Sequence, residues 1–251
     1  MKDNFSSQSD QYAKYRPGYP SDFFEYLYTI LPGREAAWDC GTGNGQVAFE
    51  LAKVMEVVFA TDISQSQIDN AADAPNIFYS VQPAEATGFP DRQFDLIVVA
   101  QAIHWFNFDK FYAEVRRTAK KGALLVVTGY GKVRVSAEID KIVDDFYRDV
   151  IGPYWDKERR YVDEDYLTIP FPFDEIQTPV FVNRLNWTAD HLIGYLKTWS
   201  AVKHFSKQNG YNPVDDLRPD IDRSWGPQPE RDVRFPLLLR IGRINSHFSD
   251  R

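Results

Sequence analysis

The stretch that most constrains this chain is residues 36–46, AAWDCGTGNGQ, where a short apolar run ends in an acid and three glycines alternate with polar residues. A segment of helical periodicity follows, so the pattern predicts a strand, a tight turn and a helix. Glycine lets backbone approach a ligand closely, and the free N–H groups at a helix start favour a polar or anionic group. The stretch indicates a nucleotide-like ligand, and a structural turn without a ligand is the alternative.

The glycine spacing excludes two common phosphate-binding patterns. A dinucleotide fingerprint needs a glycine where this chain has Gln46, and a P-loop needs Gly-Lys-Ser/Thr. The sequence D-x-G-x-G-x-G instead resembles motif I of the class I S-adenosylmethionine (SAM)-dependent methyltransferases, whose loop wraps the methionine part of SAM. The resemblance implies that SAM is bound by five residues of this loop: Asp39, Gly41, Thr42, Gly43 and Gly45.

A second acid, Asp62, ends the next predicted strand, about 20 residues after the first glycine, where α/β nucleotide folds place a carboxylate that accepts ribose hydroxyls. Dehydrogenases share this device, and an acid at a strand end can also cap the following helix. The glycine loop at a matching distance favours a ligand role for Asp62 and the adjoining Ile63.

Two further loops enter the predicted site. In the family, positions matching Ala84 and Glu85 read the adenine, although Glu85 alone would be an ordinary solvent-facing carboxylate. The apolar run 94–100 predicts a buried parallel strand, and ligands of open α/β sheets bind outside the carboxyl ends of the strands. The segment after it therefore faces the site, with Gln101 toward SAM and with His104 and Trp105 toward the methyl acceptor.

Residues 1–20 predict an arm in which Tyr12, Arg16 and Tyr19 precede prolines that break any helix. Spacing alone favours tyrosines packed on the surface. The Y-x-x-x-R-P-x-Y-P pattern and the A-x-x-H-W-F segment resemble the methyltransferase group that includes the trans-aconitate methyltransferase-like proteins. That resemblance implies an arm over the SAM site, with Tyr12 and Arg16 on the cofactor, Arg16 paired with a carboxylate of SAM or the acceptor, and Tyr19 on the acceptor.

His104 has two interpretations of equal weight. A His-Trp pair can be structural, with the imidazole bonded to a backbone carbonyl. At a strand end beside the methyl donor it could instead orient the acceptor or take its proton, because a pKa near 6.5 stays useful at neutrality. An ionised carboxylate acceptor needs no base, and His104 would then only position it.

The chain predicts one methyltransferase domain over residues 1–251, an α/β fold with a Rossmann-like, seven-stranded, mostly parallel sheet, an antiparallel last strand and helices on both faces. Residues 131–176 and 207–234 are predicted to form an aromatic-rich cap that binds the acceptor. A sixth strand is expected over 178–187, one helix over about 189–206 and the last strand over 235–244. Tyr154 and Trp199 are expected near the acceptor, although Trp199 also fits a core-facing stripe.

Composition narrows the partners. The net charge of −7 argues against general affinity for nucleic acid or anionic membrane, so a small molecule is the default. One cysteine and four histidines without metal-ligand spacing predict neither an intrachain disulfide nor a metal site. No signal core or membrane-length run is evident, so we expect a cytoplasmic protein. The expected oligomeric state is a monomer or a homodimer.

The predicted reaction is direct methyl transfer from SAM, with S-adenosylhomocysteine (SAH) as product. The resemblance implies a small-molecule acceptor such as a carboxylic acid, with five cations available: Arg16, Lys132, Arg134, Arg159 and Arg160. The aromatic cap equally suits a hydrophobic acceptor. Two alternatives are a non-catalytic SAM- or SAH-binding protein and, less favoured, an NAD-dependent oxidoreductase, which would need a glycine at position 46 and a hydride-transfer set that is not evident.

Overall fold

A computed structural model describes residues 15–245. Its strands are β1 (Ala36–Cys40), β2 (Val57–Asp62), β3 (Ile77–Val81), β4 (Phe94–Ala100), β5 (Ala119–Tyr130), β6 (Asp174–Ile176), β7 (Val182–Trp187) and β8 (Arg231–Arg243). They form one sheet in the order β3-β2-β1-β4-β5-β8-β6, with β7 also paired to β8. Strands β1 to β5 pair in parallel, and β8 runs antiparallel to β5, β6 and β7. The predicted fold class is confirmed.

The helices are α1 (Ser21–Ile30), α2 (Gln46–Leu51), α3 (Gln65–Asp69), α4 (Phe108–Thr118), α5 (Ala137–Asp145), α6 (Arg159–Asp163), α7 (Ala189–Lys197), α8 (Ser200–Asn209) and α9 (Arg218–Trp225). Short 3-10 turns cover Ile103–Trp105, Gly152–Tyr154 and Pro213–Leu217, and a π-helical turn covers Phe146–Val150. Among the described residues, no helix combines the length and the apolar character needed to cross a membrane.

Alternation along the central strands explains why helices cover both faces of the sheet. Trp38 and Ile97 pack on one face with α4, whereas Ala37 and Leu96 pack on the other with α1 and α2. Both faces of β1 and β4 are therefore buried, as expected for parallel strands. A third apolar cluster joins residues of the predicted cap ranges to α7, α8 and β8.

The strand order places the site. From β1 the chain proceeds to β2 and β3 on one side, then returns to β4 and β5 on the other. Ligands of such sheets bind at the carboxyl ends of the strands where this order reverses. The glycine loop follows β1, and Gln101 follows β4, so both lie at that edge.

Two expectations about the last third of the chain were wrong in detail. Within residues 15–245 the sheet has eight strands rather than seven: β7 covers only part of the strand expected over 178–187, and the additional strand β6 lies within the range 131–176 that was assigned to the cap. Pro179 lies between β6 and β7 and has no N–H to donate to a ladder. Strand β8 also begins earlier than the expected 235–244.

The helix expected over about 189–206 is two helices, α7 and α8. Trp199 has an extended backbone (φ −67°, ψ 137°), and the hydroxyl of Thr198 donates to the Tyr195 carbonyl at 2.6 Å. Local side-chain bonds of this kind compete with helix propagation. The break brings Trp199 and Ser200 to the edge of a cavity described below.

Candidate active site

Asp39 organises the glycine loop from below. Its carboxylate is fully buried, and Oδ2 accepts hydrogen bonds from the Thr42 hydroxyl at 2.6 Å and from the Ala48 N–H at 2.9 Å. These bonds join the end of β1 to α2 across the loop. Burial raises the pKa of Asp39 to about 7, against the opposing effect of the two hydrogen bonds. Within residues 15–245, Oδ1 has no hydrogen-bond partner, so it is the oxygen that would carry the proton when the Asp39 carboxyl group is protonated.

The three glycines of the loop serve two purposes. All have positive φ, between 57° and 79°. A Cβ on Gly41 would lie 2.7 Å from the Ala102 Cβ, and one on Gly45 would overlap the Tyr79 hydroxyl. A Cβ on Gly43 would meet only the Gln67 Oε1, at 4.0 Å, so this glycine faces open space. The first and third glycines make room for protein, and the middle one leaves room for a ligand.

Asp62 fixes the middle of the loop. Its Oδ2 accepts the Gly43 N–H at 2.9 Å, and its Oδ1 accepts the Ser64 N–H at 2.9 Å. The cap of α3 is Ser64 rather than Asp62. Because Asp62 also lines the cleft above the loop, its carboxylate lies where a ligand hydroxyl could donate to it.

The cleft above the loop has about 990 Å³ of space between its walls, which includes volume open to solvent. Ten predicted site residues line it: Arg16, Tyr19, Gly41, Thr42, Gly43, Asp62, Ile63, Ala84, Gln101 and Trp105. Polar side chains that the sequence did not single out also line it, among them Asn44, Gln46 and Gln82.

Four predicted residues lie in the described part of the chain but line neither this cleft nor the second, smaller cavity described below. Asp39 and Gly45 support the loop from beneath. Glu85 accepts the Asn107 N–H at 3.0 Å, at the start of α4. The ring of Tyr154 packs on Phe205, with centroids 4.9 Å apart. One further predicted residue, Tyr12, lies outside the described residues.

A smaller chamber adjoins the cleft. It is lined by Arg16, Gln101, His104, Trp105, Trp155, Arg159, Trp199 and Ser200. Arg16, Gln101 and Trp105 line both spaces, so they form the boundary between them. The structure therefore gathers the predicted acceptor residues His104, Trp105 and Trp199 next to the predicted SAM cleft.

His104 is neutral in this chamber. It is 8% exposed, its Nδ1 lies 3.3 Å from the Tyr166 hydroxyl, and its ring centroid is 4.9 Å from that of Trp105. Burial, followed by the nearby positive charge of Arg159, lowers the pKa of His104 to about 3. The lowered pKa argues against the expected role of His104 as a base near neutral pH and favours its role as a hydrogen-bonding group that positions the acceptor.

Arg159 is the cation directed to the chamber by the cap. It begins α6, and its Nε donates to the Tyr147 hydroxyl at 2.9 Å. Its guanidinium carbon lies 4.6 Å from the Trp155 ring centroid. The ion pair of Arg159 with Asp163 is also made through Nε, at 3.4 Å. Within residues 15–245, neither Nη nitrogen therefore has a hydrogen-bond acceptor. A stacked guanidinium with both Nη groups available suits bidentate recognition of a planar anion.

Arg16 lies at the boundary and is already tied to the protein. Its Nη1 donates to the Tyr130 hydroxyl at 3.0 Å, and its Nη2 donates to the Thr198 carbonyl at 3.3 Å. The other cations singled out in the sequence do not line either cavity: Lys132, Arg134 and Arg160.

Sequence reasoning missed Trp155 and Ser200, which line the chamber, and gave Arg159 only as one of several cations. It also missed Tyr166, which contacts His104 but does not itself line the chamber. The segment around Arg159 carries no strand or helix periodicity long enough to assign a face. Tertiary packing brings these residues together.

Comparisons with known proteins agree on one family. The family model described as a methyltransferase domain matches residues 38–127. A Dictyostelium discoideum protein named as a methyltransferase is 30% identical over 253 residues, covering 96% of this chain and 95% of that protein. A Saccharomyces cerevisiae protein named as SAM-dependent is 21% identical over 84% of each chain. A solved structure from Anaeromyxobacter dehalogenans, described as a type II methyltransferase, is 40% identical, with a TM-score of 0.85, covering 92% of this chain and 99% of that one.

Proposed function

The chain belongs to the class I SAM-dependent methyltransferases, and from this premise we propose that its acceptor is a small carboxylic acid, which it converts to the methyl ester. Membership of this family removes the NAD-dependent oxidoreductase as an alternative. The proposal concerns the acceptor and the residues that hold it. One observation carries it, the guanidinium of Arg159 in the chamber beside the cleft.

The cleft residues fit SAM. Gly43 leaves space where a Cβ would protrude, the Asp62 carboxylate is placed to accept hydroxyls, and Arg16 is placed to meet a carboxylate. When bound, SAM supplies an electrophilic methyl group, and the electrons of the broken C–S bond stay on sulfur as SAH forms. The chain's own contribution is to hold the acceptor in line and keep water away.

Arg159 supports an anionic acceptor on charge and geometry. The protein carries a net charge of −7, yet the residues of the described range 15–245 that line this chamber include two arginines and no carboxylate. The Tyr147 hydroxyl, which itself donates to Asp163 at 2.5 Å, holds Arg159 through Nε. The guanidinium is thus fixed before an acceptor arrives, which reduces the entropy lost on binding.

The chemistry of a carboxylate matches the state of His104. A carboxylate is ionised near neutral pH, so its oxygen can take the methyl group without giving up a proton. A neutral His104 with a pKa of about 3 is then no obstacle, because no base is required. Trp105, Trp155 and Trp199 supply apolar walls that limit the water around the reacting oxygen.

The test is methyl transfer from methyl-labelled SAM to a panel of small carboxylic acids, each paired with its amide and its alcohol. We expect label in a base-labile methyl ester for an acid and none for its partners. Arg159→Gln should lower kcat/KM for that acid about tenfold to a hundredfold, as expected when a charge-assisted hydrogen bond is lost. SAH affinity should stay within about twofold, because Arg159 does not line the cleft.

Arg160→Gln is the matched control. The neighbouring guanidinium donates to the Tyr161 hydroxyl at 3.0 Å and lines neither cavity, so its loss should leave transfer unchanged. Label transferred to amides or alcohols, or equal effects of the two substitutions, would contradict the proposal. SAH binding without turnover on any acceptor would favour the non-catalytic binding protein instead.

A further inference from the structure

Backbone strain in this protein concentrates beside the chamber. Four non-glycine residues of the described chain have positive φ: Arg92, Gln101, Asp165 and Tyr166. The last three belong to one contact, since Tyr166 touches Gln101 and follows Asp165 directly. Left-handed backbone is unfavourable for residues with a Cβ, and such strain persists only where surrounding structure imposes it. The surrounding structure therefore holds Gln101, Asp165 and Tyr166 in this strained backbone conformation.

The contact joins the cap to both cavities. Tyr166 is fully buried, and its hydroxyl lies 3.3 Å from His104 Nδ1 and 3.4 Å from Gln101 Oε1. The Gln101 side-chain N–H donates to the Tyr130 carbonyl at 3.0 Å, which orients its amide with Oε1 toward Tyr166. One hydroxyl thus touches a residue of the chamber and a residue of the boundary.

A glycine in β5 makes room for this arrangement. A Cβ on Gly129 would lie 3.0 Å from the Tyr166 hydroxyl oxygen and 3.3 Å from Gln101 Cδ. These separations are tighter than ordinary van der Waals contact. Any larger residue at position 129 would push the two side chains away from the strand.

Arg159 and Tyr166 belong to one segment of the chain, the short helix α6 and the turn after it. Arg159 begins α6, and beyond its end the Tyr166 N–H donates to the Tyr161 carbonyl at 2.7 Å. Arg240 of β8 secures the following turn by donating to the Ile169 carbonyl at 2.7 Å. The anion-binding side chain and the buried hydroxyl are consequently positioned together by the cap.

We infer that Tyr166 is a positioning residue for methyl transfer, which acts by fixing the orientation and tautomer of His104. Gln101 presents an oxygen, so the Tyr166 O–H donates to it, and the Tyr166 oxygen then accepts the Nδ1–H of His104. In this order each donor has an acceptor. The reverse order would leave two oxygens in contact with no proton between them.

This tautomer leaves the lone pair on Nε2 for the chamber. A carboxylate is repelled by that lone pair and attracted by Arg159, so one orientation of the acceptor is favoured. The consequence rests on the proposed carboxylate acceptor, whereas the tautomer itself does not. Without the Tyr166 hydroxyl, the ring can turn or exchange tautomers, and an Nε2–H would compete with Arg159 for the acceptor.

The test is nitrogen NMR of the full chain, labelled at its four histidines and bound to SAH. Protonated and bare ring nitrogens give separate signals, and a His104→Asn sample identifies those of His104. We expect one neutral tautomer in the unmodified protein, protonated at Nδ1. Tyr166→Phe should convert this into a mixture, and Gly129→Ala, which displaces the hydroxyl without removing it, should shift it in the same direction.

Tyr112→Phe is the control. Its buried hydroxyl donates to the Pro170 carbonyl at 2.5 Å and touches neither cavity, so it removes a cap-to-core bond without disturbing His104. The inference is overturned if His104 is protonated at Nε2 in the unmodified protein, if Tyr166→Phe leaves its signals unchanged, or if Tyr112→Phe changes them equally.

Kinetics give a second measurement with the acid methylated in the panel. Tyr166→Phe should lower its kcat/KM about tenfold through misplacement of the acceptor, with SAH affinity unchanged. Because the NMR measurement needs no acceptor, it decides the tautomer even if no acid is methylated and the proposed function fails.

Discussion

Gly194 offers a substitution that should lower both the stability of the protein and its affinity for the cofactor. It lies inside α7, and a Cβ there would fall 2.5 Å from Cδ1 and 2.6 Å from Cζ of Tyr15. Tyr15 also packs edge-on against His191, with centroids 5.2 Å apart. Arg16 follows Tyr15 directly and lines both cavities. Alanine at position 194 should therefore displace Tyr15 and draw Arg16 from its place.

The stability terms do not cancel. Glycine to alanine inside a helix gains about 1 kcal/mol. Loss of the aromatic contact of Tyr15 removes about 0.5–1.5 kcal/mol. Loss of the Arg16 hydrogen bonds to Tyr130 and Thr198 removes about 0.5–1.5 kcal/mol each, so the free energy of unfolding should fall by about 0.5–3.5 kcal/mol. Loss of a charge-assisted hydrogen bond from Arg16 to a ligand carboxylate is worth about 1.5–3 kcal/mol, so the Kd for SAH should rise about tenfold to a hundredfold.

A double-mutant cycle with Tyr15→Ala provides the assay, by thermal unfolding and calorimetric titration with SAH. Once the ring is absent, Gly194→Ala has nothing to displace, and it should raise stability by about 1 kcal/mol with no further effect on Kd. Unchanged SAH affinity in Gly194→Ala alone would refute this reasoning, because the position of Arg16 would then not depend on the close packing of the Tyr15 ring against Gly194.

Three further predictions concern the loop and the chamber. Gly45→Ala should destabilise the protein by about 2 kcal/mol or more, through overlap with the Tyr79 hydroxyl and its φ of 79°, and Tyr79→Phe in the same chain should restore part of the loss measured by denaturant unfolding. The rate of methyl transfer at saturating SAM should show no rise that depends on His104 from about pH 6 to 8, since the pKa of His104 is about 3, whereas a rise near pH 6.5 that is absent from His104→Asn would assign it as a base. The pKa of Asp39 is raised from 3.8 to about 7 in the folded state. As the pH rises, the unfolded chain loses this proton first, so the free energy of unfolding falls as the pH increases from about 3.8 to about 7. Asp39→Asn should remove this fall, seen as a flatter plot of unfolding free energy against pH.

Local chemistry made the first half of the chain predictable. The run into Asp39 and the three glycines specify a strand, a turn and a helix by nearest neighbours alone. The apolar run 94–100 is buried along nearly its whole length, as expected for a central parallel strand. These elements place Asp62 and Gln101 at one sheet edge, so most of the cleft followed from the sequence.

The roles of individual glycines did not follow from the sequence. All three are predicted to contact SAM, which stays a prediction, but the sequence did not reveal that Gly41 and Gly45 also make room for Ala102 and Tyr79, which lie far along the chain. The same holds for the chamber, where Arg159 comes from the short helix α6 and Tyr166, which contacts His104, comes from the turn after it. Their function depends on partners brought together by tertiary packing, which no local pattern specifies.

The most direct test of the cofactor site is calorimetric titration of the protein with SAM, SAH and NAD, repeated for Asp62→Ala, Gly43→Val and Asp69→Ala. Asp69 lies nearby in α3 but outside the cleft and serves as the control. We expect SAM and SAH to bind and NAD not to, with affinity lowered more than about tenfold by the first two substitutions and unchanged by the third. Binding of NAD alone, or full SAH affinity in both Asp62→Ala and Gly43→Val, would contradict the assignment of this cleft.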